Sequence, residues 1–186
     1  ARDVKKLMIL PDNLHTGRRL GFSRALLVDA ENTDRIIAIS TGVGLSLGDA
    51  PAGYEKIDNP PIAVIDSPDL PPLHHVFGAT RISLGLWQLP ILTAELASPD
   101  AALHIGPQHI ALEAAASELA QDLAQESLQV EDWYVMFCNR GKNGPFETQG
   151  EAFKGANGKY GVRINLIDRG NDDRVVSTCA ATFRKP

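Results

Sequence analysis

The sequence predicts an α+β protein in which an antiparallel sheet wraps one long helix, and two observations carry that expectation. One is an alanine-rich helical run from Pro107 to about Gln125; the other is the succession of four strand-like runs behind it, separated by turn signals. A helix has to bury its apolar stripe and a half-polar sheet its apolar face, and a sheet curved over the helix satisfies both. At 186 residues, with 44% hydrophobic composition, the chain has enough apolar side chains for such a core.

The elements follow in order. Residues 23–29 read as a strand, Glu31 to Asp34 as a polar turn, and residues 35–47 as a longer strand. In that longer run Ile37, Ile39, Val43, Leu45 and Leu47 share one parity, while small residues fill the other. Together they predict a hairpin. From Pro51 to Leu73 the prolines are dense, which removes ladder donors and forbids helix interiors, so a connector with at most one short strand at 62–65 is expected. These features define an N-terminal β-rich, Pro-rich extension over residues 1–74 and a main domain over 75–186. Residues 86–96 read as a strand in which Pro90 marks an edge or a bulge. Pro107 is then placed at the first helical position, where its missing N–H costs nothing. Four strands follow, at 129–138, 146–153, 159–167 and 174–183. Asn157-Gly158 supplies a hairpin turn before the third, and the polar stretch Asp168 to Asp173 turns into the fourth. No internal repeat and no low-complexity segment is apparent.

Composition excludes several classes of function. A formal net charge of −5 does not suit a general binder of nucleic acid or of membrane surfaces, which needs a concentrated excess of Lys and Arg. No apolar run approaches the roughly 20 residues of a membrane helix, and the N-terminal hydrophobic stretch is too short for a secretory signal, so a cytoplasmic location is expected. Cys138 and Cys179 lie in strand-like runs without CxxC or Cys/His ligand spacing, and both are expected to be buried free thiols. His74-His75 lacks companions at ligand spacing, so no metal is expected. Gly42-x-Gly44 leads toward Pro51 rather than into a helix, which removes a dinucleotide-binding reading. Trp87, Trp133, Tyr134 and Phe137 read as core or interface residues.

The candidate site is the segment LHIGPQHIALEAAAS, residues 103–117. His104, Ile105 and Gly106 make a turn into the helix, whose first amides lack intrahelical partners and suit an oxyanion. Glu113 sits among small apolar residues, and Ser117 follows one turn later on the same face. The plainer reading of Glu113 is a solvated helix residue paired with His109 four positions earlier. Arg140 and Lys142 read first as a charged, solvated turn.

The order of elements and these four positions resemble the hotdog fold, in its phenylacetate-pathway-type and 4-hydroxybenzoyl-CoA-type thioesterases. The resemblance covers about residues 75–186. The family motif runs His-Gly-Gly, six residues, an acid, three residues, then Thr or Ser. Here His104 and Gly106 match the first and third positions, Glu113 the acid and Ser117 the hydroxyl, while Ile105 replaces the middle glycine. An isoleucine amide still donates, but its branched side chain restricts the backbone and narrows the site. The resemblance implies hydrolysis of an acyl-CoA or other acyl thioester. Glu113 would be nucleophile or general base, Ser117 would orient water, and the Ile105 and Gly106 amides would polarise the carbonyl, with His104 as a structural turn residue. It also implies coenzyme A as part of the substrate rather than a separate cofactor, Arg140 and Lys142 as candidates for its phosphates, and a homodimer or tetramer with the site between subunits. Two other classes stay open: a non-catalytic hotdog module binding an acyl or aromatic ligand, and a hotdog hydratase or dehydratase.

Overall fold

A computed structural model of the chain describes residues 3–45 and 67–186. The chain divides into two compact units, Ala1–Val64 and Ile65–Pro186. The expected strand at 62–65, the end of the run at 46–47 and most of the Pro-rich connector lie outside the described residues.

The first unit is a three-stranded antiparallel sheet in the order β1-β2-β3, made of β1 (Leu7–Thr16), β2 (Leu20–Asp29) and β3 (Asn32–Leu45). The expected hairpin is β2 with β3. Strand β1 is an addition to the sequence reading: Pro11 and Asp12-Asn13 interrupt its alternation, yet among the described residues β1 pairs with β2 alone and so has the edge position at which proline is tolerated.

The second unit begins with a short helix, α1 (Leu73–Val76), and a hairpin of β4 (Thr80–Ser83) and β5 (Leu86–Leu89). The strand expected over 86–96 is therefore shorter than its sequence span. It stops at Leu89, because Pro90 has no donor to extend the ladder, and its partner β4 lies upstream. Gly85 makes the β4–β5 turn at φ +69, and a Cβ there would fall 2.5 Å from Leu119 Cδ2, so the turn rests directly on the helix. Two short strands, β6 (Ala97–Ser98) and β7 (Ala102–Leu103), lead into α2 (Ile105–Ala124). Then come β8 (Gln129–Phe137), β9 (Phe146–Lys154), β10 (Tyr160–Asp168) and β11 (Arg174–Arg184).

The six-stranded antiparallel sheet has the order β4-β5-β9-β10-β11-β8. The last four strands are thus not a simple meander: β8 crosses to the far edge and pairs with β11, which leaves β9 to join β5. Helix α2 packs against β5, β9, β10 and β11. Its contact face is Ala111, Leu112, Ala115, Ala116 and Ala120, all fully buried, against Val162, Ile164, Leu166 and Phe183 of the sheet. Short alanine side chains let the helix lie close to the strands, and the strands bend over it. At Gly150 in β9 a Cβ would stand 2.4 Å from the Arg163 carbonyl oxygen, so only glycine fits that bend. With the alanine face turned to the sheet, helical spacing leaves Ile110, Glu113, Ala114 and Ser117 off the core.

Of the two thiols, Cys179 is buried, and burial pushes it up to about 12. Cys138 is exposed, contrary to expectation, because it lies just past the end of the edge strand β8. Among the described residues no helix is long and apolar enough to cross a membrane.

Candidate functional site

Helix α2 starts two residues earlier than its sequence indicates. His104 is the N-cap, with extended φ −62 and ψ 151, and its Nδ1 accepts a hydrogen bond from the Gly106 amide at 3.1 Å. Ile105 and Gly106 are already helical, and Pro107 takes the third helical position rather than the first. The correction has a chemical consequence. Proline brings no N–H, the Gly106 N–H is held by His104, and the Ile105 amide is the donor of the first helical turn without an acceptor among the described residues. Beneath this turn the His104 amide donates to the Leu96 carbonyl at 2.8 Å, and buried Gln108 donates through Nε2 to the Leu103 carbonyl at 2.8 Å. The short β6–β7 ladder and these two bonds fix the helix start.

Two turns along, Glu113 and Ser117 line a cavity of about 320 Å³ together with Leu73, His74, Ile110 and Ala114. Glu113 is exposed and Ser117 half-buried. The expected pairing of Glu113 with His109 is not a direct contact. His109 is engaged elsewhere, its Nδ1 accepting from the Trp133 indole N–H at 3.2 Å, and among the described residues Glu113 has neither an ion pair nor a hydrogen bond. Burial pulls the His109 pKa below its ordinary value, and the charge of Glu113 opposes that only in part.

His74 is the site residue that sequence reasoning passed over. It was weighed only as a metal ligand with His75, whereas α1 sets it in the Glu113 cavity with its ring 5.2 Å from Trp87, edge to face. Its neighbour in sequence gave no hint of this, because α1 reaches α2 only through the fold. Among the described residues no group of three or more His, Cys, Asp and Glu side chains assembles in a metal-binding cluster.

Ser117 and Ala114 also border an adjoining groove of about 500 Å³ that Arg81, Trp87 and Glu118 line. Glu118 accepts from the Trp87 indole at 3.0 Å, from the Gly85 amide at 3.0 Å and from the Arg81 guanidinium. Burial pushes this carboxyl up, but the three donors outweigh it and hold it below its ordinary value. Glu118 therefore fastens the β4–β5 hairpin to the helix, and Glu113 is the unengaged carboxylate of the pair.

Arg140 and Lys142 do not border the Glu113 cavity. Arg140 pairs with Asp100, and Lys142 Nζ donates to the Ala101 carbonyl at 2.8 Å and the Asp100 carbonyl at 3.3 Å. The backbone of their loop is held from below by Asp168, which is fully buried and accepts from the amides of Lys142, Asn143 and Gly144 at 2.8, 3.1 and 2.7 Å.

The structure thus brings Glu113, Ser117 and His74 together and leaves Ile105 apart. Eight residues of helix separate Ile105 from Glu113, which is about 12 Å along the axis. One small group cannot touch both within a single chain.

No family model matches this sequence, and no curated protein matches it. Solved structures do resemble it. A thioesterase from Staphylococcus aureus is 17% identical with a TM-score of 0.52, the match covering 61% of this chain and 98% of that one. A thioesterase from Haemophilus influenzae is 14% identical with a TM-score of 0.52, over 60% of this chain and 80% of that one. A protein from Bacillus halodurans crystallised with CoA is 13% identical with a TM-score of 0.50, over 60% and 74%. At such identities the likeness establishes the architecture: the structural neighbours are hotdog proteins of the thioesterase superfamily, and this chain carries the hotdog fold, with a β-rich region ahead of it.

Proposed function

We propose that the hotdog domain hydrolyses an acyl thioester, with Glu113 as its nucleophile or general base. The observation that carries this reading is the cavity in which Glu113, free of ion pairs among the described residues, stands one turn from Ser117 and beside His74. A carboxylate without a structural partner is available for a proton or a carbonyl carbon, and Glu118 next to it supplies the contrast.

As a base, Glu113 takes a proton from water held by Ser117 while the water oxygen attacks the thioester carbonyl carbon. The carbonyl electrons move to oxygen, and the resulting oxyanion needs a donor. When the tetrahedral intermediate collapses, the C–S bond breaks, the thiolate leaves and takes up the proton, and the products are a carboxylic acid and a free thiol. As a nucleophile, Glu113 forms an acyl anhydride that water then hydrolyses to the same products. The oxyanion donor is the Ile105 amide. Because it lies about 12 Å along the axis from Glu113 in its own chain, the donor comes from a second copy, so the working unit is at least a homodimer.

The thiol component we assign to coenzyme A, in keeping with the CoA found with the Bacillus halodurans protein of this fold. Arg140 and Lys142 would meet its phosphates by exchanging Asp100 and the loop carbonyls for them. A second reading, a binding module for an acyl or aromatic ligand, is favoured by one observation: His104 takes the Gly106 amide, so the helix start offers a single donor.

Free-thiol release from a panel of aliphatic and aromatic acyl-CoAs separates the two. Hydrolysis predicts turnover that falls about 100-fold or more in Glu113→Ala, within the range for loss of a positioned base. Saturable binding without turnover, unchanged by that substitution, would replace the enzymatic reading with the second one.

A further inference from the structure

No internal repeat is apparent in the sequence, yet the strand registers contain one. In the first unit Leu7 faces Asp29, Asp12 faces Arg24 and Leu27 faces Ala38. In the second unit Phe146 faces Asp168, Glu151 faces Arg163 and Leu166 faces Ser177. Every residue of the second set stands 139 positions after its counterpart in the first, across all three strands. A shared three-stranded meander would mean little, since that topology is common. A shared irregularity means more. The β2–β3 ladder slips between Leu27 and Val28, and the β10–β11 ladder slips between Leu166 and Ile167, the same position at the same offset. Beyond the slip Val28 faces Ile36 just as Ile167 faces Val175.

Side chains repeat as well. The cross-strand ion pair of Arg24 with Asp12 recurs as Arg163 with Glu151. A shallow cleft of about 390 Å³ in the first unit takes in Leu10, Pro11, Asp12, Arg24 and Leu26, and one of about 330 Å³ in the second is lined by Gln149, Gly150, Glu151, Arg163 and Asn165, each at the same offset. Of the twelve residues from 24 to 35, six are identical to their counterparts: Arg24, Leu27, Asp29, Asn32, Asp34 and Arg35.

We infer that residues 7–45 are a second copy of the strand trio 146–184, and that the sheet face bearing Ala25, Leu27, Ser40 and Gly42 is the seat of an α2-like helix supplied by the chain ahead of β1. The counterparts of those four residues are Ile164, Leu166, Cys179 and Ala181, which belong to the core that α2 covers. In the first unit Ser40 and Gly42 are exposed, and Ala25 and Leu27 are only half-buried. A one-layer sheet has nowhere to bury such a face by itself. Among the described residues α2 is already covered by its own sheet, and α1 has four residues, too few to serve. The repeat itself gives the source: α2 precedes β9, so the corresponding helix precedes β1. It also gives the size of the contact side chains. Ala25, Ser40 and Gly42 are smaller than Ile164, Cys179 and Ala181, so a helix seated there carries larger apolar residues than the alanines of α2. The outer faces have diverged, since Phe22, Leu26, Ile39 and Val43 stand where Gly161, Asn165, Thr178 and Thr182 stand.

Thiol labelling tests the seat. Ala25→Cys, in a Cys138→Ser background that removes the exposed native thiol, is reacted with a maleimide in the 186-residue chain and in the protein carrying the residues encoded ahead of Ala1. Labelling should slow by about tenfold or more when those residues are present, and they should contain a helix of about 20 residues with large apolar side chains three and four apart. Equal labelling rates, or the absence of such a helix from whatever is encoded upstream, including nothing at all, overturn the assignment. Ser40→Cys, exposed on the same face, reports the same quantity should Ala25→Cys fail to fold.

Discussion

His104 and His109 sit five residues apart, the first capping α2 and the second within it, and their roles are set by different bonds. His104 offers a lone pair to the Gly106 amide and so shapes the helix start, whereas His109 offers one to the Trp133 indole and joins the helix to β8. Burial lowers the His109 pKa, so the folded protein holds this ring neutral at pH values where the unfolded chain binds a proton. The sign follows from that difference. The stabilisation is fully present above the ordinary histidine value and is lost as pH falls through it, from about 6.5 downward. The midpoint of thermal unfolding should therefore decline between about pH 7 and 5.5, before carboxylates titrate. His109→Gln keeps an acceptor for Trp133 and has no proton to gain, so its melting curve should be flatter over that interval. An unchanged slope would mean that another group sets it.

The loop between β8 and β9 shows how much an element depends on one side chain from another. Asp168 ends β10, is fully buried, and accepts three successive amides of residues 142–144. Bonds to a carboxylate are worth about 1.5–3 kcal/mol each, and a buried amide left unpaired costs about 1–3. Asp168→Ala should then destabilise the domain by about 3 kcal/mol or more in urea unfolding, with the loop amides losing protection from hydrogen exchange first. A loss below about 1 kcal/mol would show that water replaces the carboxylate at little cost. Nothing in the sequence singles out Asp168, which reads as the start of a polar turn; its task appears only when the β8–β9 loop is folded onto it. Helix α2 is the opposite case. Its length and its alanine face were legible because they are local and periodic, while its true start was not, because His104 acts as an N-cap through a ring nitrogen rather than a hydroxyl or carboxylate. The sheet order was also hidden, since the place of β8 beside β11 depends on a crossover that no turn signal encodes.

At the scale of the molecule, what sequence conveyed was the set of strands behind the helix, and what it concealed were relations between distant residues. His74 and Glu113 line one cavity from about 40 positions apart, and the repeated trio lies 139 residues from its counterpart with its identities gathered in one hairpin. The edges of the six-stranded sheet, unpaired among the described residues, are a further relation of this kind. Strand β8 is one edge, and it carries Tyr134 and Met136, both exposed, on the face away from the core, while Trp133 and Val135 pack inward. An edge with exposed apolar residues and unpaired backbone groups is a ready template for pairing with a second chain. The proposed site needs such a pairing, because one chain cannot bring its own Ile105 amide to its own Glu113. If β8 edges pair antiparallel in a homodimer, like charges placed on them face one another and weaken it. The double variant Tyr134→Lys with Met136→Lys should shift the mass measured by light scattering from dimer to monomer. Thiol release should fall with it, while the circular dichroism of the domain is retained. A variant that becomes monomeric yet keeps full turnover would show that the oxyanion donor comes from the same chain as Glu113, and a dimer untouched by both lysines would place the interface elsewhere.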